Sequence, residues 1–396
     1  MYRKVNVTDN IFHLGVNDRR KELFENLWPL PNGVSYNSYL INDEKTALVD
    51  TIEMGTGGDF TGWVASILAG KPLDYLIINH MEPDHSGEIG NIVRAYPNVK
   101  IIGNSKTFTV LKAYYGITEN LLEVKDGDTV ELGTHTLTFT MTPWVHWPET
   151  MMTHDTEKGI LFSGDAFGTF GTLDGGIFDD ELDFRFYEDD MLRYYSNIVG
   201  KYSGMVQKAL AKLSSIDIKI ICPVHGPVWR SNPAQVLGLY DRWSRQEGEN
   251  GVVIVYGSMY GNNARVADYI ARGFAEEGVR RIRVYDASKT HMSYIVRDAW
   301  RYKGIVLGSC AYNTAMFPLM ESLTREFEHI AMKNKHLGVF GTYSWNGGGV
   351  RNLMDFAGRI GWDLVCEPCD VHGCPNDEKV GAAEAIYKNM SKFLKD

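Results

Sequence analysis

The sequence predicts an α/β protein of two domains, and three observations predict this class. The chain has 396 residues, which is more than one ordinary domain holds. In its first half, short apolar runs of β character alternate with turns and a few helical patterns. In its last part, five apolar strands alternate regularly with amphipathic helices, which is typical of a doubly wound parallel sheet. We place the domains at residues 1–248 and 249–396.

The overall composition indicates a globular protein without a general affinity for nucleic acid or membranes. The formal net charge is -10, whereas nucleic acid and anionic lipid both require a basic face. Residues 1–5 lead into a polar segment, so no signal peptide is expected, and no apolar run is long enough to span a bilayer. Five cysteines, an odd number, do not indicate a disulfide framework, and we expect a reduced, cytoplasmic protein.

The first domain is predicted to contain short strands separated by turn residues. The run at residues 76–79 is typical of a buried strand, and helical spacing of apolar residues resumes at Ile89. The other strands are predicted at residues 11–15, 38–41, 46–50, 99–102, 129–132, 136–141, 159–163 and 218–221.

A dense group of potential metal ligands follows the predicted strand at residues 76–79. These ligands lie between a strand and a helix, where α/β proteins hold functional groups at the carboxyl edge of a sheet. They are His80, Glu82, Asp84 and His85, and three more candidates that each follow an apolar strand are His146, Asp165 and His225. One such residue after a strand is usually a turn residue or a helix cap, but four such placements favour a metal site.

The number and chemistry of these side chains favour two metal ions. A structural zinc site typically takes four ligands, whereas seven suit two ions that share a bridging carboxylate and leave positions open for substrate. Imidazole and carboxylate donors without thiolate fit iron, manganese or zinc. The spacing alone does not choose among these metals.

The order of the seven residues resembles the metallo-β-lactamase superfamily, which implies an αββα sandwich for the first domain. In zinc hydrolases of that superfamily, a histidine normally occupies the position of Glu82. The glutamate resembles the flavodiiron proteins, where an extra carboxylate accompanies a di-iron centre, and its charge and hard oxygen favour iron. By this resemblance, His80, Glu82 and His146 bind one iron, Asp84, His85 and His225 bind the other, and Asp165 bridges them as part of the catalytic centre.

The second domain is predicted to repeat a strand–loop–helix pattern. A solvated connection rich in Glu, Arg, Asn and Gly is predicted at residues 242–251. The strands are predicted at residues 252–256, 282–285, 304–308, 337–341 and 364–366. The three cysteines that follow or overlap the last strand are one short of a rubredoxin or zinc site, and we interpret them as incidental; they are Cys366, Cys369 and Cys374.

Three loops after strands of this domain offer a site for an anion and a flat ring. The first loop presents amides at a helix N-terminus, where the helix dipole favours a phosphate, and the other two present aromatic side chains. This half resembles flavodoxin, which implies FMN, although a domain without a ligand is the alternative. The implied contacts are Ser258, Met259, Tyr260, Gly261, Asn262, Asn263, Ala311, Tyr312, Asn313, Thr314, Ser344, Trp345, Asn346 and Gly347. Asn262-Asn263 and Cys310-Ala311 depart from the residues that are common in these loops.

The resemblance to flavodiiron proteins covers nearly the whole chain and implies an oxygen or nitric oxide reductase that protects against O2 or nitrosative stress. Two ferrous ions and a reduced flavin supply the four electrons that turn O2 into water, and two electrons turn two NO into N2O. The expected electron donor is external: rubredoxin, another flavoprotein or a deazaflavin. The family also implies a head-to-tail homodimer, or a dimer of dimers, in which the FMN of one subunit serves the irons of the other.

Two other functions remain open at this point. A zinc or iron hydrolase with an attached flavodoxin-like domain would use metal-bound hydroxide, but Glu82 and a second cofactor disfavour it. An electron carrier or gas sensor would bind without turnover, and no residues are left for an output module. The choice between O2 and NO depends on groups around the open metal positions, and the sequence does not make it.

Overall fold

The computed structural model describes residues 4–395, which divide into two compact units. The first unit runs to Tyr195 and includes Gly204–Asp241, and the second contains Ser196–Ser203 and the chain from Arg242 onward. The segment Ser196–Ser203 packs within the second unit, where Asn197 Nδ2 donates to Ser293 O at 3.2 Å. In the part of the chain that is described, no helix has the length and apolar character needed to cross a membrane.

The first unit contains two sheets and a small hairpin. The larger sheet is antiparallel over its first four strands and parallel over the rest, and its order is β1 (Val5–Asn6), β2 (Ile11–Asp18), β5 (Val34–Asn42), β6 (Thr46–Val49), β7 (Tyr75–Ile77), β8 (Lys100–Gly103) and β9 (Leu121–Glu123). The hairpin pairs β3 (Leu23–Phe24) with β4 (Trp28–Pro29). The second sheet has the order β10 (Thr129–Glu131), β11 (Thr136–Met141), β12 (Met151–Asp155), β13 (Ile160–Gly164) and β14 (Ile220–Pro223).

One apolar core lies between the two sheets. In β11, burial alternates along the strand, so that Leu137 and Phe139 point into the core and the threonines that alternate with them do not. These side chains pack in one cluster with Tyr39, Val49 and Ile77 of the larger sheet. The helices that accompany the sheets are α1 (Phe60–Leu68), α2 (Pro83–Ser86), α3 (Ile89–Ala95), α4 (Ser105–Tyr115), α5 (Glu188–Tyr194), α6 (Ser203–Leu213) and α7 (Pro233–Ser244).

The second unit is a parallel sheet with helices between its strands. The strand order is β16 (Ile282–Asp286), β15 (Glu249–Gly257), β17 (Tyr302–Tyr312), β19 (His336–Tyr343) and then β20 (Asp363–Leu364) with β21 (Cys369–His372), while β18 (Ala315–Met316) forms a hairpin with β17. The first strand in the sequence, β15, therefore lies between β16 and β17, and the order reverses there, as in a doubly wound fold. The helices are α8 (Asn262–Glu276), α9 (Met292–Arg301), α10 (Pro318–His329), α11 (Gly348–Ile360), α12 (Asp377–Val380) and α13 (Glu384–Leu394).

Two sequence predictions for this region are wrong in detail. The segment 242–251 is not a solvated connection, because α7 continues to Ser244, Trp243 and Gln246 are buried, and β15 begins at Glu249. The predicted strand at residues 364–366 is replaced by the two short strands β20 and β21, which pair with successive parts of β19. The polar composition of residues 242–251 predicted exposure to solvent, but packing against residues distant in sequence buries part of this segment.

Gly348 tests how closely two loops of the second unit pack. A Cβ at this position would lie 1.9 Å from Thr314 O, a backbone atom of the β17–β18 hairpin. We expect Gly348→Ala to destabilise this unit by about 1–3 kcal/mol, the usual cost of overpacking. The measurement is thermal unfolding monitored by circular dichroism.

Gly358→Ala is the matched control in the same helix, because an added Cβ there meets no atom within 4 Å among the described residues. We expect it to be neutral or to stabilise by about 0.5–1 kcal/mol, since alanine favours helix. Equal unfolding temperatures for the two variants would contradict the close approach of the loops.

Candidate functional site

The strand ends of the first unit position all seven predicted metal ligands. β7 ends at Ile77, and the loop after it carries His80 and Glu82 before Pro83 starts the short helix α2, which holds Asp84 and His85. Two hydrogen bonds hold the start of this loop in place: Asn79 N and Nδ2 both donate to the buried Asp50 carboxylate, at 2.8 and 3.0 Å. The remaining three ligands follow β11, β13 and β14, and they are His146, Asp165 and His225.

Three of these side chains form one set of donors, which we call the Glu82 group: His80, Glu82 and His146. Glu82 Oε2 lies 3.0 Å from His146 Nε2 and 3.5 Å from His80 Nε2. Metal–ligand bonds of about 2.0–2.2 Å place two donors on one ion about 3.0–3.5 Å apart. The spacing of the Glu82 group therefore suits a single ion at its centre.

A second set, the Asp84 group, consists of Asp84, His85 and His225. Asp84 presents one oxygen to each imidazole, with Oδ1 3.4 Å from His85 Nε2 and Oδ2 3.2 Å from His225 Nε2. All three residues are at least nine-tenths buried. This set also has the spacing of donors around one ion.

Asp165 lies between the two groups. Its Oδ2 is 3.5 Å from His80 Nε2, 3.6 Å from His146 Nε2 and 3.4 Å from His85 Nε2, whereas its Oδ1 is 3.4 Å from His225 Nε2. One carboxylate that presents its two oxygens to donors of both groups has the position of a bridging ligand.

The hydrogen-bonding state of these atoms fits two bound cations. Within the described residues, the following buried atoms have no hydrogen-bond partner: His80 Nε2, both Asp84 oxygens, His85 Nε2, Asp165 Oδ2 and His225 Nε2. Buried polar atoms are rarely left unpaired, because burial without a partner costs about 1–3 kcal/mol each. Converging orphan nitrogens and carboxylate oxygens without thiolate are the donor set of iron, manganese or zinc.

The electrostatics of the site also favour bound cations. Burial opposes a charge on His225, but the Asp165 and Asp84 carboxylates outweigh it and raise its pKa to about 10. Burial likewise opposes the charge on Asp165, yet the surrounding histidines hold its pKa well below its usual range. The carboxylates therefore favour positive charge at the imidazoles, and a metal ion would take the place of those protons.

No pattern in the sequence pointed to the side chains that hold the ligands in place. His80 Nδ1 lies 2.6 Å from Glu149 Oε1, His225 Nδ1 lies 2.8 Å from Ser35 O, and Tyr194 donates to Asp165 Oδ1 at 2.8 Å. Such contacts fix the ring orientation and leave Nε2 for the metal. Glu149 follows the ligand His146 by three residues, but Tyr194 and Ser35 are distant in sequence from the atoms they contact.

His85 differs from the other ligands of its group. Its Nδ1 has no hydrogen-bond partner among the described residues, so that neither ring nitrogen is anchored by the protein. The ring lies 5.1 Å from the His80 ring and 5.9 Å from the His225 ring, between the two groups. The orientation of the His85 ring is therefore set by packing and by the ligand or ion that its Nε2 contacts.

The second unit forms a cavity of about 300 Å³ where the three predicted loops meet. Eleven of the fourteen predicted contacts line it: Ser258, Met259, Tyr260, Asn262, Ala311, Tyr312, Asn313, Thr314, Ser344, Trp345 and Asn346. Tyr260 and Trp345 are 91% and 82% exposed at its rim. Large aromatic rings left in solvent beside a cavity suit stacking on a flat ring.

The N-terminus of α8 supplies the anion cradle of this cavity. Gly261 takes φ +86° just before the helix, and no side chain in the described part of the chain caps the first turn. Uncapped amides at a helix N-terminus bind a phosphate favourably. The cradle and the exposed rings together fit a flavin mononucleotide.

Three predicted contacts do not line the cavity, and three others were missed. Gly261 lines a neighbouring cavity, Gly347 lines neither, and Asn263 is buried with its Nδ2 donating to Gly257 O at 2.7 Å. Asn263 therefore stabilises the conformation of the loop after β15 and does not face the cavity. The additional lining residues are Cys310, Thr342 and Tyr343, which lie at the ends of β17 and β19.

Glu149 provides a test of the metal centre. We expect Glu149→Gln to weaken metal binding by about 10-fold, because the charge that orients and polarises His80 is lost while the shape is kept. The measurement is competition for the bound metal by a chelator of known affinity.

Glu157→Gln is the matched control, because Glu157 lies exposed in the turn after β12 and carries the same charge change. Its metal affinity should equal that of the wild type. If both variants lose affinity equally, net charge and not the His80 contact is responsible.

Comparison with protein families identifies both halves of the chain. Residues 34–226 match a family described as "ODP family beta lactamase", and residues 254–385 match "Flavodoxin". These matches confirm the predicted fold class, a metallo-β-lactamase-like domain followed by a flavodoxin-like parallel sheet.

Comparison with individual proteins extends over the whole chain. An anaerobic nitric oxide reductase flavorubredoxin from Vibrio vulnificus is 34% identical over 88% of this chain and 72% of its own length. The rubredoxin oxygen:oxidoreductase of Desulfovibrio gigas has a TM-score of 0.94 at 27% identity, covering 99% of this chain and 98% of its own. A mutant of the flavo di-iron protein from Thermotoga maritima has a TM-score of 0.91 at 27% identity, covering 99% and 98%.

The relatives agree with the geometry of both sites. The flavodoxin-like domain implies FMN, and the ligand groups of the first unit fit the non-haem di-iron site of the relatives' family. The named relatives are oxidoreductases. This chain is an oxidoreductase that belongs to the flavodiiron protein family.

Proposed function

We propose that this protein reduces O2 to water, NO to N2O, or both, at a di-iron centre that receives its electrons by way of FMN. The proposal rests on the presence of two features in one chain. The first is the two donor groups, which share Asp165 and contain buried atoms without a hydrogen-bond partner among the described residues. The second is the flavin cavity. When bound, the irons and FMN supply the electrons for reduction.

The protein's own residues have distinct roles in this proposal. The Glu82 group and the Asp84 group would hold one iron each, with Asp165 as the carboxylate that both groups share. Tyr194 keeps the bridge in place, because its hydroxyl donates to the Asp165 oxygen nearest His225. Burial of both groups excludes bulk water from the polar contacts, which strengthens them.

The names of the relatives support the two substrates and the type of donor. The Vibrio relative is named as a nitric oxide reductase and the Desulfovibrio protein as an oxygen oxidoreductase of rubredoxin. We accordingly propose O2, NO or both as substrates and a rubredoxin-type protein as the electron donor. We also propose a role in protection against O2 or nitric oxide, because the activity removes these gases, and a cytoplasmic location for it.

A hydrolase is the second candidate, and the site does not favour it. Hydrolysis requires a metal-bound hydroxide but no flavin. Glu82 lies within the donor set with its Oε2 3.0 Å from His146 Nε2, and it adds an anionic hard ligand that favours iron.

The first test is composition followed by reoxidation. The purified chain should contain two irons and one FMN, because the two donor groups each suit one ion and the three loops of the second unit form a cavity that suits one flavin. The reduced protein, mixed anaerobically with O2 and separately with NO in a stopped-flow instrument, should reoxidise rapidly with at least one gas.

Zinc in place of iron, together with no reoxidation by either gas, would contradict the proposal and favour the hydrolase. Release of hydrogen peroxide in place of water would contradict four-electron reduction. The ratio of the two reoxidation rates identifies the preferred gas.

We further propose the head-to-tail homodimer, in which electrons pass from the FMN of one chain to the irons of its partner. Two single variants separate the functions: Asp165→Asn removes the bridging charge, and Asn262→Asp places a negative charge in the phosphate cradle. Each variant alone should lack gas reduction. Heterodimers purified with two different affinity tags should recover about half of the wild-type activity, because one intact pair remains.

The control is a heterodimer in which both mutations lie in one chain and the partner is wild type. In the head-to-tail arrangement this dimer has no intact pair and should be inactive. Activity in this control, with none in the first heterodimer, would show that electrons pass within one chain.

A further inference from the structure

The hairpin of β3 and β4 carries a carboxylate that is not among the seven predicted ligands. Leu27 N donates to Phe24 O at 2.9 Å and closes a two-residue turn at Glu25 and Asn26. Both turn residues have positive φ, 49° and 55°. Turns of this kind favour Asn, Asp and Gly, which tolerate positive φ. Glutamate is unfavourable at this backbone conformation, which suggests that the Glu25 side chain is present for a reason other than the turn.

The residues around Glu25 hold the hairpin against the metal site. Phe24 is 1% exposed, and its ring contacts the rings of His225 at 5.6 Å and Tyr194 at 6.0 Å. Trp28 is buried, and its Nε1 donates to Glu25 Oε2 at 3.1 Å. The hairpin is therefore anchored on both sides of Glu25.

The Glu25 carboxylate lies next to the Glu82 group. One of its oxygens is within 4.8 Å of the ligand atoms of both Glu82 and His146. The third member of this group, His80, is fully buried, and its Nε2 has no hydrogen-bond partner in the described part of the chain while lying 3.5 Å from Glu82 Oε2. Glu25 is therefore near enough that a small movement of its side chain would add a fourth donor to the three that the group supplies.

We propose that Glu25 is a displaceable ligand of the iron held by the Glu82 group, and that in the resting protein it occupies the position that the gas takes during turnover. This inference rests on the proposed function and its metal centre. Glu25 is exposed as a residue at a hairpin tip, so its side chain can turn from the site toward solvent, whereas Glu82 is 6% exposed and has no such alternative. Substrate binding then requires displacement of Glu25.

The test uses the full-length protein loaded with FMN and isotopically enriched iron. Glu25→Gln keeps the size of the side chain but removes its charge. Glu25→Asn shortens it and suits the positive φ, so this variant is expected to fold at least as well as the wild type. Glu22→Gln is the matched control, because Glu22 is exposed just before the same hairpin and belongs to no ligand group.

Both Glu25 variants should change one site only. One of the two irons should be released to a chelator about 10-fold faster than in the wild type, and one of the two Mössbauer quadrupole doublets should shift. Azide, used as a probe of the vacated position, should bind about 10-fold more tightly, because it no longer competes with a carboxylate. Glu22→Gln should match the wild type in all three measurements.

Unchanged iron release, doublets and azide affinity in both Glu25 variants would overturn the proposal. The same changes in Glu22→Gln would also overturn it, because surface charge would then be the cause. A wild-type chain that fails to hold two irons would instead overturn the proposed metal centre and with it the role of Glu25, and the iron content reports this outcome separately.

Discussion

The carboxylate of Asp165 is the group on which the geometry of the candidate metal site depends. It is fully buried, and its two oxygens face imidazoles of both ligand groups. A buried charge is costly unless it is paired, and here the partners are histidines and, in the loaded protein, cations. Each group is a set of donors by itself, and under the proposed function the shared Asp165 carboxylate would keep two metal ions close enough to act on one small molecule.

The fold meets this constraint by bringing together the ends of strands from two different sheets. The loop after β7 belongs to the larger sheet, whereas Asp165 and His225 follow strands of the second sheet. The common apolar core holds the sheets face to face, so the position of the ligands is set by the packing of residues such as Tyr39 and Phe162, whose rings lie 5.5 Å apart. Rigid elements of this kind keep donor atoms within the narrow range of distances that metal ions require.

The flavin cavity is assembled differently from the metal site, because it is built from loops of one parallel sheet. Its three loops follow β15, β17 and β19, which are neighbours in that sheet, so sequence order and spatial order agree. The backbone approaches are close, as Gly348 against Thr314 O shows. The exposed rings of Tyr260 and Trp345 remain available to a ligand or to a partner chain.

The residues of this chain were enough to predict its two-domain α/β class, most of its strands and the set of potential metal ligands. These features depend on periodicity within a segment and on the placement of His, Asp and Glu directly after apolar runs, which are local properties. Eleven of the residues that line the flavin cavity were also predictable from the sequence, because each of the three loops directly follows a recognisable strand.

Tertiary structure decided everything that depends on distant contacts. The association of Glu149 with His80, of Tyr194 with Asp165 and of Glu25 with the Glu82 group has no counterpart in sequence spacing. The burial of Trp243 in a segment of polar composition and the division of the last strand into β20 and β21 are of the same kind. Local propensity is worth only a few tenths of a kcal/mol per residue, whereas burial of one large side chain is worth about 1.5–3 kcal/mol, so packing overrides it.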